Sequence, residues 1–437
     1  MASQIIVDKE SSTVSTGGVL GFPWFRFDAG QFICEEALID GNYVSLHFSA
    51  MGRPNCRERL WSKYTNSMIY RYQFHSFELE ADGQRLRDHW LLESEQVMKT
   101  PGGCDELCLS LRDERWPVRV MVHTRLDGTA FLERWLEIEN LGSAPMAISH
   151  LFPWCGVLFM PADQTMWPPE SYEFSLGRYR HLSGCMEGEF GWERLPEGTY
   201  KEELNKLVKF APCFYLVRNE DTAEIAVLDF EYSGGTCVEF TRVTKPTPFS
   251  HLHARVGLAG NSPFRVIEPG GKVASPRVHI SMLYGDADTC ANALFKHLRT
   301  SVLPGRPWPG THPVGYHYGG YVNPHWLATT PEIIRNEIDL AAVLGAELFM
   351  MDAGWNVPPG KRYHEVFGDW EETPLLKNGL SDCFDYARQK GMQCGLWVPI
   401  EIVGPSSALL AAHPEWCLRD GGRQVLMLDL TQPEVEQ

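Results

Sequence analysis

The run Glu347-Leu348-Phe349-Met350-Met351-Asp352-Ala353-Gly354-Trp355 passes from an apolar strand straight into an acid and an indole. A second run, Cys394-Gly395-Leu396-Trp397-Val398-Pro399-Ile400-Glu401, repeats the pattern. Helical spacing surrounds both. Thr330 can cap a helix with Pro331 in its first turn and Glu332 beside it. Ile334, Ile338, Ala341 and Ala342 then share one helical face, and Gly345 can end it. A second helix is predicted from about Leu380 to Lys390, closed by Gly391, and a third from Ser406 to Ala412, stopped by Pro414. Buried apolar strands alternating with helices are the βα repeat of a parallel sheet. Counting Pro313 to Tyr318 as the first strand gives three such strands, plus an extended Gln424 to Leu430. A closed (β/α)8 barrel takes about 250 residues, whereas 125 residues follow His312. Residues 313–437 are therefore expected to form a truncated (β/α)8 TIM barrel of three βα units.

Upstream the period changes from 3.6 to two. Val44, Leu46 and Phe48 alternate with polar neighbours, as do Leu107, Leu109 and Leu111. Similar runs are Val118 to Leu126, Phe131 to Ile138, Ile225 to Phe230 and Val273 to Leu283. Hairpin signals separate them, among them Ala81-Asp82-Gly83 and Asp127-Gly128. Strands with one apolar face and hardly a helical stretch imply stacked antiparallel sheets. Residues 1–300 are read as a large β-sandwich, and the stretch from Trp167 to Asn205 as a solvated loop leaving it. The Pro- and Gly-rich Leu303 to Gly310 marks a linker over 301–312. The expected class is multidomain, β followed by α/β.

The formal net charge of -17 disfavours a polyanionic partner, so no nucleic acid is expected. No stretch approaches the roughly 18 apolar residues of a membrane span, and the first ten residues do not read as a signal peptide. The twelve cysteines are scattered, and none of their spacings is that of a zinc site. Buried free thiols and a cytoplasmic location are expected.

Ligands of a parallel barrel meet the C-terminal ends of its strands. Asp352 and Trp355 follow the second strand there, Asp369 and Trp370 lie in the loop after it, and Trp397 and Glu401 follow the third. A carboxylate accepts hydroxyls and an indole covers an apolar C–H face, a combination that suits a sugar. Asp352, after four apolar residues, is costly to place without a partner. The competing readings are a helix cap or loop ion pair for each acid, and core packing for each tryptophan. His312, His317 and His325 have no standard metal spacing, and Gly319-Gly320 lacks phosphate-loop spacing. No metal and no cofactor are expected.

Several further motifs fall in order: Leu344 to Phe349 leading to the Met351-Asp352-Ala353-Gly354-Trp355 run, Gly368-Asp369-Trp370, Gly391 to Trp397, His413-Pro414-Glu415-Trp416 and Leu428 to Val435. With them the chain resembles the family 36 glycoside hydrolases, the melibiase-type α-galactosidases. The resemblance implies an N-terminal β-supersandwich joined to a (β/α)8 barrel. It implies that Asp352 hydrogen-bonds the sugar in the −1 subsite, that Asp369-Trp370 and Trp397 line that pocket, and that Arg423 matches an arginine of the site. It implies retaining hydrolysis of oligosaccharides by a nucleophile and an acid/base on later strands. No residue of this chain is then catalytic, and residues 1–437 form an inactive N-terminal portion. It also implies a homo-oligomeric full-length protein.

The chain departs from the family pattern at Ala353, where many relatives carry a second aspartate, and at Pro399, where the usual Trp-x-Glu-Pro-Glu keeps only Glu401. The first strand, Tyr316 to Gly320, lacks the usual Asn-x-Trp. An α-hexosidase of other specificity, including an α-N-acetylgalactosaminidase, and a non-catalytic carbohydrate-binding protein therefore stay open. So does an unrelated barrel hydrolase that pairs Asp352 with Glu401.

Overall fold

The computed structural model describes residues 3–15, 18–50, 74–100, 102–159, 172–180, 189–204, 213–232, 234–243, 251–259, 264–303, 314–318, 330–376 and 379–436. The chain divides into two compact units, Met1–Pro304 and Gly305–Gln437. The expected linker from Pro304 to Gly310 lies outside the described residues, as do His312, His325 and Gly319-Gly320.

The first unit is built from antiparallel sheets. A 10-stranded sheet runs from Glu189–Arg194 at one edge to Trp90–Lys99 at the other, with Arg277–Tyr284, Leu132–Asn140 and Val118–Leu126 in its middle. A 5-stranded sheet starts at Gln4–Ser15, and two 4-stranded sheets are centred on Met146–Phe152 with Glu78–Ala81 and on His251–Leu258 with Thr236–Val243. One apolar core draws on all four, including Phe27 and Phe48, Leu79 and Ile148, Val120 and Leu136, and Phe240 and Val256. The period-two pattern is the cause. Along Val118–Leu126 every second residue is buried, and the intervening Arg119, Met121, His123 and Arg125 are half-buried. Asp82 and Gly83 take the left-handed φ values of 48° and 77° that the hairpin between Glu78–Ala81 and Gln84–Leu86 needs.

Two regions of this unit differ from the sequence expectation. The stretch read as a solvated loop carries three strands, Phe174–Arg180, Glu189–Arg194 and Gly198–Leu204. The first two form a hairpin at the edge of the largest sheet. Gly177 hides the alternation there: a Cβ would stand 2.8 Å from Phe190 and 3.0 Å from Trp192, so the neighbouring aromatics require glycine. A helix, Ala287–His297, also follows the last sandwich strand. Asp286 caps it by accepting from the Thr289 N–H, and Cys290 and Leu294 are buried.

Buried polar pairs sit inside the sandwich. Arg134 is fully buried; its Nη2 donates to Glu36 Oε2 at 2.7 Å and its Nε to Thr124 Oγ1 at 2.8 Å. The Tyr43 hydroxyl donates to the same Glu36 oxygen at 2.5 Å. Burial pushes the Glu78 carboxyl up, but a hydrogen bond with His150 and the charges of Arg255 and Arg87 outweigh this and bring it down to about 2.

The second unit opens with three parallel strands in sequence order, Gly315–Tyr318, Leu348–Met351 and Gln393–Leu396. The helices Pro331–Val343 and Gly379–Gln389 connect them. Thr330 caps the first, accepting from the Ile333 N–H with Pro331 in the first turn, and Gly345 ends it at φ 77°. Phe349 and Met351 pack with Ile334, Ile338, Leu380 and Ala387. The extended segment at the end of the chain does not join this sheet. Arg423–Leu428 turns back through Gly421-Gly422 to pair antiparallel with Cys417–Asp420.

Two stability outcomes follow. Arg134→Met leaves Glu36 buried and uncompensated, so urea unfolding is expected to show a loss of about 3–5 kcal/mol. Adding Glu36→Gln recovers part of it, and a double-mutant cycle with no coupling would refute the pairing. Because the Glu78 pKa is depressed on folding, its contribution is complete above its ordinary 4.5 and is lost as pH falls toward about 2. Thermal unfolding followed from pH 7 to pH 2 should therefore fall less steeply below pH 4.5 in Glu78→Gln.

Candidate functional site

The parallel ladder decides what meets at the strand ends. Leu348 and Met350 lie on the face opposite the helix-packed Phe349 and Met351, and Asp352 continues that face one step beyond the strand. In register, His317 pairs with Met350, and Leu396 with Met351, which sets Trp397 beside Asp352. Two backbone bonds carry the ladder past the strands. The Asp352 N–H donates to the Tyr318 carbonyl at 3.0 Å, and the Trp397 N–H to the Met351 carbonyl at 2.7 Å. Gly395 contributes no side chain on the face of Met350, whose Cγ lies 3.5 Å from where a Cβ would stand.

Asp352 has a side chain only 11% exposed, yet neither oxygen is stranded. Oδ1 accepts from the Ala353 N–H at 2.6 Å, and Oδ2 lies 3.2 Å from His317 Nε2, whose ring is 41% exposed. The partner that the apolar run demanded is thus His317, which the sequence reading weighed only as a metal ligand. The alternation of Gly315 and His317 in register with Leu348 and Met350 is the signal that identifies it.

The indoles have different duties. Trp355 is buried, stacks on Trp370 at 6.3 Å between centroids, and donates its Nε1–H to the Trp397 carbonyl at 3.1 Å. Trp355 and Trp370 both pack on the apolar core of this unit. Trp397 is half-buried against Phe367 at 5.7 Å, close to Asp352.

The Asp369 carboxylate faces the short helix Ala408–Ala412, whose Ala408 N–H donates to both of its oxygens at 2.9 Å and whose Leu409 N–H donates at 3.3 Å. Ser407 is the N-cap of that helix, accepting from the Leu410 N–H at 3.0 Å, and Asp369 satisfies its first two N–H groups from outside. Glu401 is exposed in a turn, and its carbonyl accepts from the Leu428 N–H at 2.9 Å. Arg423 opens the C-terminal hairpin. The structure therefore gathers Asp352, His317 and Trp397 at one sheet end, with Trp355 and Trp370 supporting them. Asp369, Glu401 and Arg423 are tied to the 401–428 segment.

A half-buried carboxylate with spare lone pairs, an imidazole and an indole at the C-terminal ends of parallel strands can accept hydroxyls and cover an apolar ring face. Residues 325–437 match the melibiase family model. The α-galactosidase AgaA of Geobacillus stearothermophilus is 30% identical over 235 residues, which is 50% of this chain and 30% of that protein. An Escherichia coli α-galactosidase is 32% identical over 24% of this chain and 16% of its own length. The fold of the galactosidase domain of the α-galactosidase–sucrose kinase AgaSK aligns with a TM-score of 0.74 at 18% identity, covering 99% of this chain and 63% of that one. A variant of G. stearothermophilus AgaA solved with raffinose aligns with a TM-score of 0.74 at 18% identity, covering 94% and 62%. Over these residues the chain is similar to melibiase-type α-galactosidases, and its fold is that of solved GH36 α-galactosidase structures. The chain spans about a third or less of these two curated relatives and under two thirds of these solved chains. Among the described residues no helix is long and apolar enough to cross a membrane.

Asp369→Ala should destabilise the second unit by about 1–3 kcal/mol through loss of its hydrogen bonds to the start of the helix. Denaturant unfolding monitored by tryptophan fluorescence checks this, and an unchanged midpoint would refute this role.

Proposed function

We propose that this chain carries the sandwich and the opening, incomplete (β/α)8 part of a retaining α-galactosidase-like glycosidase that acts on terminal α-galactosides in oligosaccharides. The observation that carries the reading is the convergence of Asp352, His317 and Trp397 at one end of a parallel sheet. Asp352 accepts sugar hydroxyls on its remaining lone pairs, the Ala353 N–H and His317 hold its orientation, and Trp397 offers its face to the C–H side of the ring.

Both Asp352 oxygens are already engaged, which suits binding better than attack on an anomeric carbon. Retaining hydrolysis needs two opposed carboxyls about 5–5.5 Å apart, one as nucleophile and one as acid/base. By resemblance to the family these belong to later strands, so residues 1–437 bind sugar without turning it over. A second reading rests on Ala353, buried at 8% exposure where many relatives have a carboxylate. Its small side chain removes an acceptor and favours another α-hexose or an N-acetylated one.

A panel of nitrophenyl α-glycosides offered to purified residues 1–437 should show no turnover. Galactose binding followed by NMR should weaken at least about tenfold in Asp352→Asn, in line with loss of a charge-assisted hydrogen bond. Preferential binding of N-acetylgalactosamine would favour the second reading. Turnover that vanishes in Asp352→Asn, with a glycosyl ester trapped on Glu401, would overturn the assignment of roles.

A further inference from the structure

In the first unit three side chains from separate elements converge in a fully buried cluster. Glu133 comes from the strand Leu132–Asn140, His279 from Arg277–Tyr284, and His297 is the last residue of the helix Ala287–His297. All three are 0% exposed. Glu133 Oε and one nitrogen of each ring lie within 4.8 Å of one another. His297 Nε2 stands 2.8 Å from His279 Nδ1 and 4.0 Å from Glu133 Oε1.

The environment of each group is that of a metal ligand. His297 Nδ1 bonds to Asp127 Oδ2 at 2.7 Å, and Asp127 is itself held by Thr129 and Ser301. His279 Nε2 faces Glu231 Oε2 at 3.5 Å. His297 thus has a carboxylate hydrogen-bonded to its outer nitrogen, His279 has one 3.5 Å from its outer nitrogen, and the two inner nitrogens face each other at 2.8 Å. A carboxylate on the outer nitrogen is how proteins orient histidines that bind metal and fix their tautomers. Glu133 Oε2 meets Arg125 and Arg277 at 3.5 and 3.3 Å, whereas the buried Oε1, on the histidine side, has no hydrogen-bond partner. An unpartnered buried carboxylate oxygen is expensive unless something positive reaches it. Phe131 stacks on the His297 ring at 4.8 Å and shields it.

Charge points the same way. Three carboxylates, Asp127, Glu133 and Glu231, surround the two rings, against the guanidiniums of Arg125 and Arg277.

We propose that Glu133, His279 and His297 form a divalent-metal site that takes zinc. Two imidazoles and one carboxylate are a zinc donor set. With metal–nitrogen bonds of about 2.0–2.1 Å the two nitrogens stand about 3.4 Å apart, so the rings part by roughly half an ångström on binding. The bound ion ties the end of the helix to two strands of the largest sheet, so its role is structural. The site is independent of the sugar-binding reading.

The test uses residues 1–437, stripped with a chelator and titrated with zinc alone. One tightly bound zinc per chain is expected, with a rise in thermal unfolding temperature that grows with zinc concentration. Cobalt substitution should give a visible spectrum without a thiolate charge-transfer band, which separates this site from the cysteines. Glu133→Gln and His279→Gln should each weaken zinc binding at least tenfold, and Asp127→Asn by about 10–100-fold. If those variants do not fold, X-ray absorption of the zinc-loaded wild type decides by its nitrogen and oxygen ligands. Folded wild type that takes up no zinc would overturn the site and leave a proton shared between the two rings. Binding unchanged in both glutamine variants, or sulfur ligation of the metal, would also overturn it.

Discussion

Parallel pairing is the constraint on which the strand-end site depends. Parallel strands that alternate with helices all finish at the same edge of the sheet, so whatever follows each strand is delivered to one place. Here the ladder continues for one bond beyond the strands, from Asp352 to Tyr318 and from Trp397 to Met351. Those two bonds hold a carboxylate and an indole side by side. The helices enforce the register by burying Phe349 and Met351; a slip of one residue would turn Asp352 into that core.

The loop after the second strand shows how support and contact divide among similar residues. Trp355 and Trp370 stack and bury themselves, and Trp355 spends its one donor on the Trp397 carbonyl. Asp369 satisfies the N–H groups at the start of a five-residue helix. These are scaffold duties, yet they act on the site, because they position the chain on both sides of Asp352 and Trp397. His317 adds a donor beside Asp352 from the first strand.

The sandwich follows different physics. Its sheets share one core, built in part by alternation as along Val118–Leu126, and that core encloses hydrogen-bonded ionic groups such as Arg134 with Glu36, Thr124 and Tyr43. Glu133 has one oxygen paired with arginines and the other on the side of two histidines. Sequence spacing does not reveal such a cluster. Its members lie 146 and 18 residues apart along the chain and meet only because the sheet places their strands together and the helix returns across them.

Local physics wrote much of this protein into its sequence. Period two marked the sandwich strands, period 3.6 with Thr330, Pro331, Gly345 and Gly391 marked the helices, and four apolar residues before Asp352 marked a buried strand end. Each of these depends on neighbours a few residues away. The strands between Phe174 and Leu204 and the helix after Asp286 were not legible, since Gly177 interrupts one pattern and the apolar stripe of the other is short. Tertiary structure alone decided that His317 partners Asp352, that Asp369 bonds to the start of a helix some 40 residues on, and that Glu133, His279 and His297 meet. The reason is common to all three: hydrogen-bond and ligand geometry is set by the register between elements, and register is a property of the folded sheet rather than of any one segment.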